Sequence, residues 1–101
     1  MSISFVEDSD GIFSMKIQGD FDYTLHEDFR EVMSSAESSG LSRFTVNMSG
    51  VDEMDSSALG MLLLLRDKCG VDDRKIEIAG CRPEIYALFK TANFDKYFNF
   101  V

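Results

Sequence analysis

The stretch VDEMDSSALGMLLLLRDKCG, Val51 to Gly70, decides how this chain is read. An acidic loop leads into two serines, and the serines open an apolar run: Ala58, Leu59 and Met61 to Leu65. That density of apolar residues predicts a helix from Ser56 to about Lys68, covered on most of its circumference, with Gly70 as its C-terminal stop. Asp55, Ser56 and Ser57 can each accept a hydrogen bond from the unpaired amides of a helix start. One cap needs one acceptor, so at least one of the three is free to face solvent. A helix start also gathers amide dipoles, about half a positive charge, so an anion such as a phosphate is tolerated there.

Working outward, Arg43 to Met48 alternates Phe44, Val46 and Met48 with Thr45 and Asn47. It reads as a strand stopped by Ser49-Gly50. Further upstream, residues 2 to 6 and 12 to 18 flank the turn-forming Asp8-Ser9-Asp10-Gly11, the first alternating through Ile3 and Phe5 and the second, in a looser pattern, through Ile12, Met15 and Ile17. A β-hairpin ending at Gly19 is expected. Thr24 and Glu27 have the spacing of a capping box, and Leu25, Phe29, Val32, Met33 and Ala36 follow at helical period, so an amphipathic helix should end near Ser38-Ser39-Gly40. Downstream, Lys75 to Ala79 reads as a short strand. Pro83 suits the first turn of a third helix whose apolar face is Ile85, Leu88, Phe89 and Ala92, with Asn93 near its end. The tail from Tyr97 to Val101 alternates aromatic and polar residues and is expected to be a last edge strand. Helices alternating with strands after a hairpin imply an α/β domain with parallel later strands.

At 101 residues the chain is expected to be a single domain over 1–101. Apolar residues make up 45% and charged residues 28%, ordinary for a folded domain. The formal charge of −8, from 10 Lys+Arg against 18 Asp+Glu, disfavours phosphate backbones and anionic lipid as direct ligands. Cys69 and Cys81 lie 12 apart with no companion histidine cluster, which favours reduced thiols over metal ligation. The N-terminus lacks the basic and apolar regions of a signal peptide, and Leu59–Leu65 falls far short of the roughly 20 residues that span a bilayer. A cytoplasmic protein without membrane insertion is expected.

Three enzymatic or ligand-binding readings are weak. Ser56 or Ser57 as a nucleophile needs a base, and His26 is the sole histidine, placed in the first turn of helix one, while Met54-Asp-Ser-Ser-Ala58 is not a Gly-x-Ser-x-Gly turn. The carboxylates Asp20, Asp22, Asp52, Glu53 and Asp55 could hold a divalent cation as a receiver domain does, but no acidic pair follows a first parallel strand. Gly40, Gly50, Gly60 and Gly70 form no phosphate-binding loop, so no motif argues for a nucleotide. No cofactor and no metal are expected. The aromatic residues Phe94, Tyr97, Phe98 and Phe100 either pack over helix three or form a partner-binding patch.

The window Asn47-Met-Ser-Gly-Val-Asp-Glu-Met-Asp-Ser-Ser-Ala-Leu-Gly60 resembles the STAS domain, and within that family the small stand-alone bacterial anti-sigma factor antagonists. Strand, loop of about six residues, then Asp-Ser-Ser/Thr-Gly/Ala-x-Gly opening a helix is the family's pattern. Gly19-Asp-Phe-Asp22 is similar to its segment before helix one. The resemblance implies the STAS fold: an N-terminal hairpin, then alternating helices and strands forming a mixed sheet with helices packed mainly on one face. It places the regulatory phosphoserine on Ser56, a neighbouring Ser/Thr position on Ser57 and Asp22 beside the same site. Asp22, Asp52, Glu53, Met54, Asp55, Ser57 and Leu59 are then the expected partner interface. The implied partners are an anti-sigma factor or serine protein kinase of the histidine-kinase-like ATPase type and a PP2C-like serine phosphatase, with no catalysis by the domain. Ala58 replaces a frequent glycine, small for small. The chain's end at Val101 leaves out most of the family's usual final helix, which bears on partner or dimer contacts there, and a monomer or weak dimer is expected. A second role of the same fold, as a structural STAS subunit of a membrane transporter or lipid-trafficking ATPase complex, needs no phosphorylation.

Overall fold

The computed structural model describes residues 2–7, 11–38, 43–69 and 76–101. Strands β1 (Ser2–Glu7) and β2 (Ile12–Phe21) pair antiparallel, with Ile3 opposite Ile17 and Phe5 opposite Met15. Then follow α1 (His26–Ser38), β3 (Arg43–Met54), α2 (Ser56–Cys69), β4 (Ile76–Ala79), α3 (Pro83–Thr91) and β5 (Asn99–Phe100). The sheet order is β1-β2-β3-β4-β5, and every pair after the first is parallel. Each parallel step moves to the next position in the same direction. Right-handed crossovers therefore place all three helices on one face of the mixed sheet.

The strand periods show which face that is. Phe13, Met15 and Ile17 of β2, Phe44, Val46 and Met48 of β3, and Ile76 and Ile78 of β4 are buried under the helices. Ser14, Lys16 and Gln18 alternate with them on the open face. The phase of β2 is thus set by Phe13, not by Ile12. Helix α1 buries Phe29, Val32, Met33 and Ala36 as its 3.6-residue period requires, and Leu25 in the turn before it is buried too.

Several expectations are corrected. β2 runs through Gly19 to Phe21, because Gly19 takes φ of 86° at a register irregularity and lets pairing with β3 resume beyond it. β3 likewise runs to Met54 and is not stopped at Ser49-Gly50. A Cβ on Gly50 would stand 2.9 Å from Gln18 Cγ and 3.2 Å from the Ile17 carbonyl oxygen, so the glycine serves close strand approach. Asp22 caps the 3-10 turn over Tyr23–Leu25 that leads into α1, accepting the Thr24 N–H at 3.0 Å.

Helix α2 buries Ala58, Met61, Leu62 and Leu65 but leaves Leu63 40% and Leu64 36% exposed, so it is covered on one side only. On α3, Ile85 and Phe89 face the core while Leu88 is 45% exposed. Asn93 ends that helix in the left-handed region, φ 62°. Gly70 and Lys75 lie outside the described residues.

The tail is a 3-10 turn over Phe94–Lys96 followed by the two-residue β5, shorter than the edge strand expected from Tyr97 onward. Its rings do pack on α3: Phe89 meets Phe94 at 5.7 Å and Phe100 at 5.2 Å, and Phe100 meets Tyr86 edge-on at 5.4 Å. The Arg66 guanidinium lies 5.2 Å from the Tyr97 ring, joining α2 to this tail.

Candidate functional site

Parallel strands deliver their C-terminal ends to one edge of the sheet, and there the start of α2 stands beside the turn after β2. The Asp55 N–H donates to the Phe21 carbonyl at 3.4 Å, which ties the two segments together. Asp55 then caps α2. One oxygen of its carboxylate accepts the Ser57 N–H at 3.0 Å, the Ala58 N–H at 3.3 Å and the Ser57 hydroxyl. These donors, the Ser57 hydroxyl foremost, hold the Asp55 carboxyl below its ordinary value.

The same device occurs next door. Asp22 accepts both the N–H and the hydroxyl of Thr24 with one oxygen. In each turn the residue between acceptor and donor is pushed outward: Tyr23, 70% exposed, in the first and Ser56 in the second. Ser56 is exposed, and its hydroxyl has no hydrogen-bond partner among the described residues. Ser57 is half-buried and committed to the cap.

Two depressions flank Ser56. An acidic cleft of about 130 Å³ is lined by Asp20, Phe21, Asp22, Glu53, Met54 and Asp55. An apolar groove of about 280 Å³ runs between α2 and α3, where Met54, Ser56 and Leu59 face Leu88, Thr91 and Ala92. The Thr91 hydroxyl donates to the Ala87 carbonyl at 2.9 Å, so its polar atom is satisfied within the helix.

Of the residues expected from sequence, Asp22, Glu53, Met54, Asp55, Ser56 and Leu59 come together around these two depressions. Asp52 lines neither. It is paired with Arg82 Nη1 at 2.9 Å across an exposed surface. Sequence reasoning missed Leu88, assigned to the core because it fell on an apolar helical stripe, and Arg82, which lies 30 residues downstream of Asp52 and offered no local signal. Tyr23 was missed as well, although a large aromatic between Asp22 and a hydroxyl repeats the Asp55-Ser56-Ser57 pattern and marked it.

Among the described residues no group of three or more His, Cys, Asp or Glu is arranged to hold a metal ion, and no helix is long and apolar enough to cross a membrane. His26 lines a separate groove between α1 and α2. The Cys81 thiol is half-buried, and burial pushes it up to about 11.

Comparison with known proteins gives a consistent result. The STAS domain family model matches residues 5–101. A STAS-domain containing protein of Pseudomonas aeruginosa (strain UCBPP-PA14) is 37% identical over 99 residues, covering 97% of each chain. Among solved structures, the Bacillus anti-sigma factor antagonist SpoIIAA in its unphosphorylated form matches with a TM-score of 0.76 at 18% identity, over 99% of this chain and 87% of that one. Its phosphorylated form matches with a TM-score of 0.74, also at 18% identity, over 99% and 91%. A sulfate transporter family protein from Wolinella succinogenes matches with a TM-score of 0.74 at 18% identity, over 90% and 73%. The solved structures share the fold.

Proposed function

The chain belongs to the STAS domain family, and on that premise we propose that it is a phosphorylation-controlled protein-binding regulator of the anti-sigma factor antagonist kind. In this reading residues 1–101 act as one domain in the cytoplasm. The unphosphorylated domain binds an anti-sigma factor or serine kinase of the histidine-kinase-like ATPase type. Phosphorylation of Ser56 releases it, and a PP2C-like phosphatase restores binding. The domain contributes a surface and its partners contribute the catalysis.

The observation that carries this reading is the division of labour among Asp55, Ser56 and Ser57. Asp55 and Ser57 satisfy the helix start between them, and Ser56 is left exposed with an unpartnered hydroxyl. Modifying Ser56 therefore breaks no hydrogen bond of the fold. It adds a charge of about −1.5 to −2. The amides of α2 offset part of that charge inside the domain. A partner packed against the Ser56 face meets the rest, together with Asp22, Glu53 and Asp55, and is repelled. The apolar groove beside Ser56 supplies the adhesive area, with Met54, Leu59 and Leu88 as its contact residues. That SpoIIAA has the same fold in both phosphorylation states agrees with a switch located in the interface.

Phosphopeptide mapping of the protein isolated from its own cells, with the co-purifying kinase identified, tests site and partner together. Phosphate on Ser56 is expected. The Ser56→Ala variant should bind that kinase constitutively and Ser56→Asp should lose binding with a native circular dichroism spectrum; equal binding by the two variants would sink the proposal. The transporter-family match motivates a second reading, a structural STAS subunit. An unmodified Ser56 together with stable co-purification of a membrane ATPase would favour it.

A further inference from the structure

The groove between α1 and α2 carries charge of the opposite sign to the rest of the molecule. It encloses about 360 Å³ and is lined by His26, Arg30, Met33, Ser34, Leu64 and Lys68, with no carboxylate lining it among the described residues. The whole chain, by contrast, has 18 Asp+Glu against 10 Lys+Arg. Glu27 and Glu31 belong to the next stripe of α1 and line a neighbouring depression with Arg30. Among the described residues Arg30 and Lys68 form no ion pair; those that form are Arg82 with Asp52 and Lys90 with Asp95.

Helix electrostatics explains only part of this set. Lys68 lies in the last turn of α2, where a cation is favoured by the helix dipole. His26 opens α1 and Arg30 follows one turn later, at the pole where positive charge is disfavoured. Glu27 and Asp28 stand in that same first turn, and neither lines the groove. Leu64, 36% exposed, sits among them, and Leu63 beside it is 40% exposed, on a helix whose Leu62 and Leu65 are fully buried. Leu64 lies eight residues beyond Ser56, about 12 Å along the helix axis, so this surface is separate from the proposed switch.

We propose that the α1–α2 groove is a second docking surface, for an acidic segment of a partner protein that sets carboxylates against Arg30 and Lys68 and an apolar side chain against Leu64. The arginine favours a carboxylate held bidentately and the lysine a single charge contact. Binding through such exposed charges weakens as salt rises.

A phage-displayed library of random 12-residue peptides, panned on the intact protein, tests this whatever the identity of the partner. Enrichment of sequences with two or more Asp or Glu flanking Leu, Ile or Phe is expected. A synthesised winner should bind the R30E/K68E variant at least tenfold more weakly, bind S56D as it binds the parent, and shift amide resonances around Arg30 and Leu64. The milder R30Q/K68Q variant keeps the test open if charge reversal perturbs the fold. Enrichment of neutral or basic peptides, equal binding to the charge-altered variants, loss of binding in S56D, or shifts confined to the Ser56 face would each overturn the assignment.

Discussion

Ser57 gives both its backbone N–H, at 3.0 Å, and its hydroxyl to one oxygen of Asp55, and this pairing closes the start of α2 while leaving Ser56 between them unengaged. The Asp55 carboxyl is held below its ordinary value of 3.8, first by the Ser57 hydroxyl. A depressed carboxylate stabilises the fold above its unfolded-state pKa, and that contribution is lost as pH falls through the lower folded value. Asp55→Ala should therefore lower the melting temperature at pH 7, with the gap to the parent narrowing in acid. Asp55→Asn keeps an acceptor oxygen and should lose less. Thermal melts by circular dichroism between pH 7 and pH 2 check both.

Leu62 and Leu88 separate stability from binding. Leu62 is fully buried, so Leu62→Ala should cost about 2–5 kcal/mol in urea unfolding. Leu88 is 45% exposed beside Ser56, and Leu88→Glu should change stability by no more than about 0.5 kcal/mol while abolishing capture of the proposed kinase. A Leu88→Glu variant that binds normally would remove the groove from the interface.

Gly50 tests the close approach of β2 and β3. A methyl there meets Gln18 Cγ at 2.9 Å and the Ile17 carbonyl oxygen at 3.2 Å, so Gly50→Ala should cost about 1–3 kcal/mol. The Gln18 contact is with a flexible side chain and the Ile17 contact with backbone. Adding Gln18→Ala should recover part of the loss and leave the remainder, as measured by a double-mutant cycle in urea.

Arg82→Ala removes a pair whose side chains are 45% and 58% exposed, so the stability change should stay below about 1 kcal/mol. The freed Asp52 makes the acidic rim near the proposed interface more negative. Association with a basic partner surface should become faster and more salt-dependent, measurable by stopped-flow binding at two ionic strengths.

Much of the fold was legible in the residues because it depends on local period. The helical spacing of Leu25, Phe29, Val32, Met33 and Ala36 and the alternation of Phe44, Val46 and Met48 each report on a single segment. Errors arose where the neighbouring strand decided the outcome. Gly19 and Gly50 are turn-formers by propensity, yet both sit inside strands, because pairing between β2 and β3 continues past them and rewards a bulge and a missing side chain. Leu88 and Leu63 fit apolar patterns, but a short helix on a five-stranded sheet has more apolar stripe than the sheet covers.

By itself the sequence determined the element order, the core positions that repeat at 2.0 or 3.6 residues, and the Asp55-Ser56-Ser57 helix start, since capping needs only residues within one turn. That local cap, in which Asp55 takes the Ser57 N–H and hydroxyl, also leaves Ser56 free, whereas tertiary structure decided what surrounds it. The tertiary structure brought the Asp22 turn against Asp55 through the Phe21 carbonyl, paired Asp52 with Arg82, and opened Leu88 beside Ser56. Those relationships join residues far apart in the chain, and parallel strand pairing, which no local pattern encodes, is what makes them neighbours.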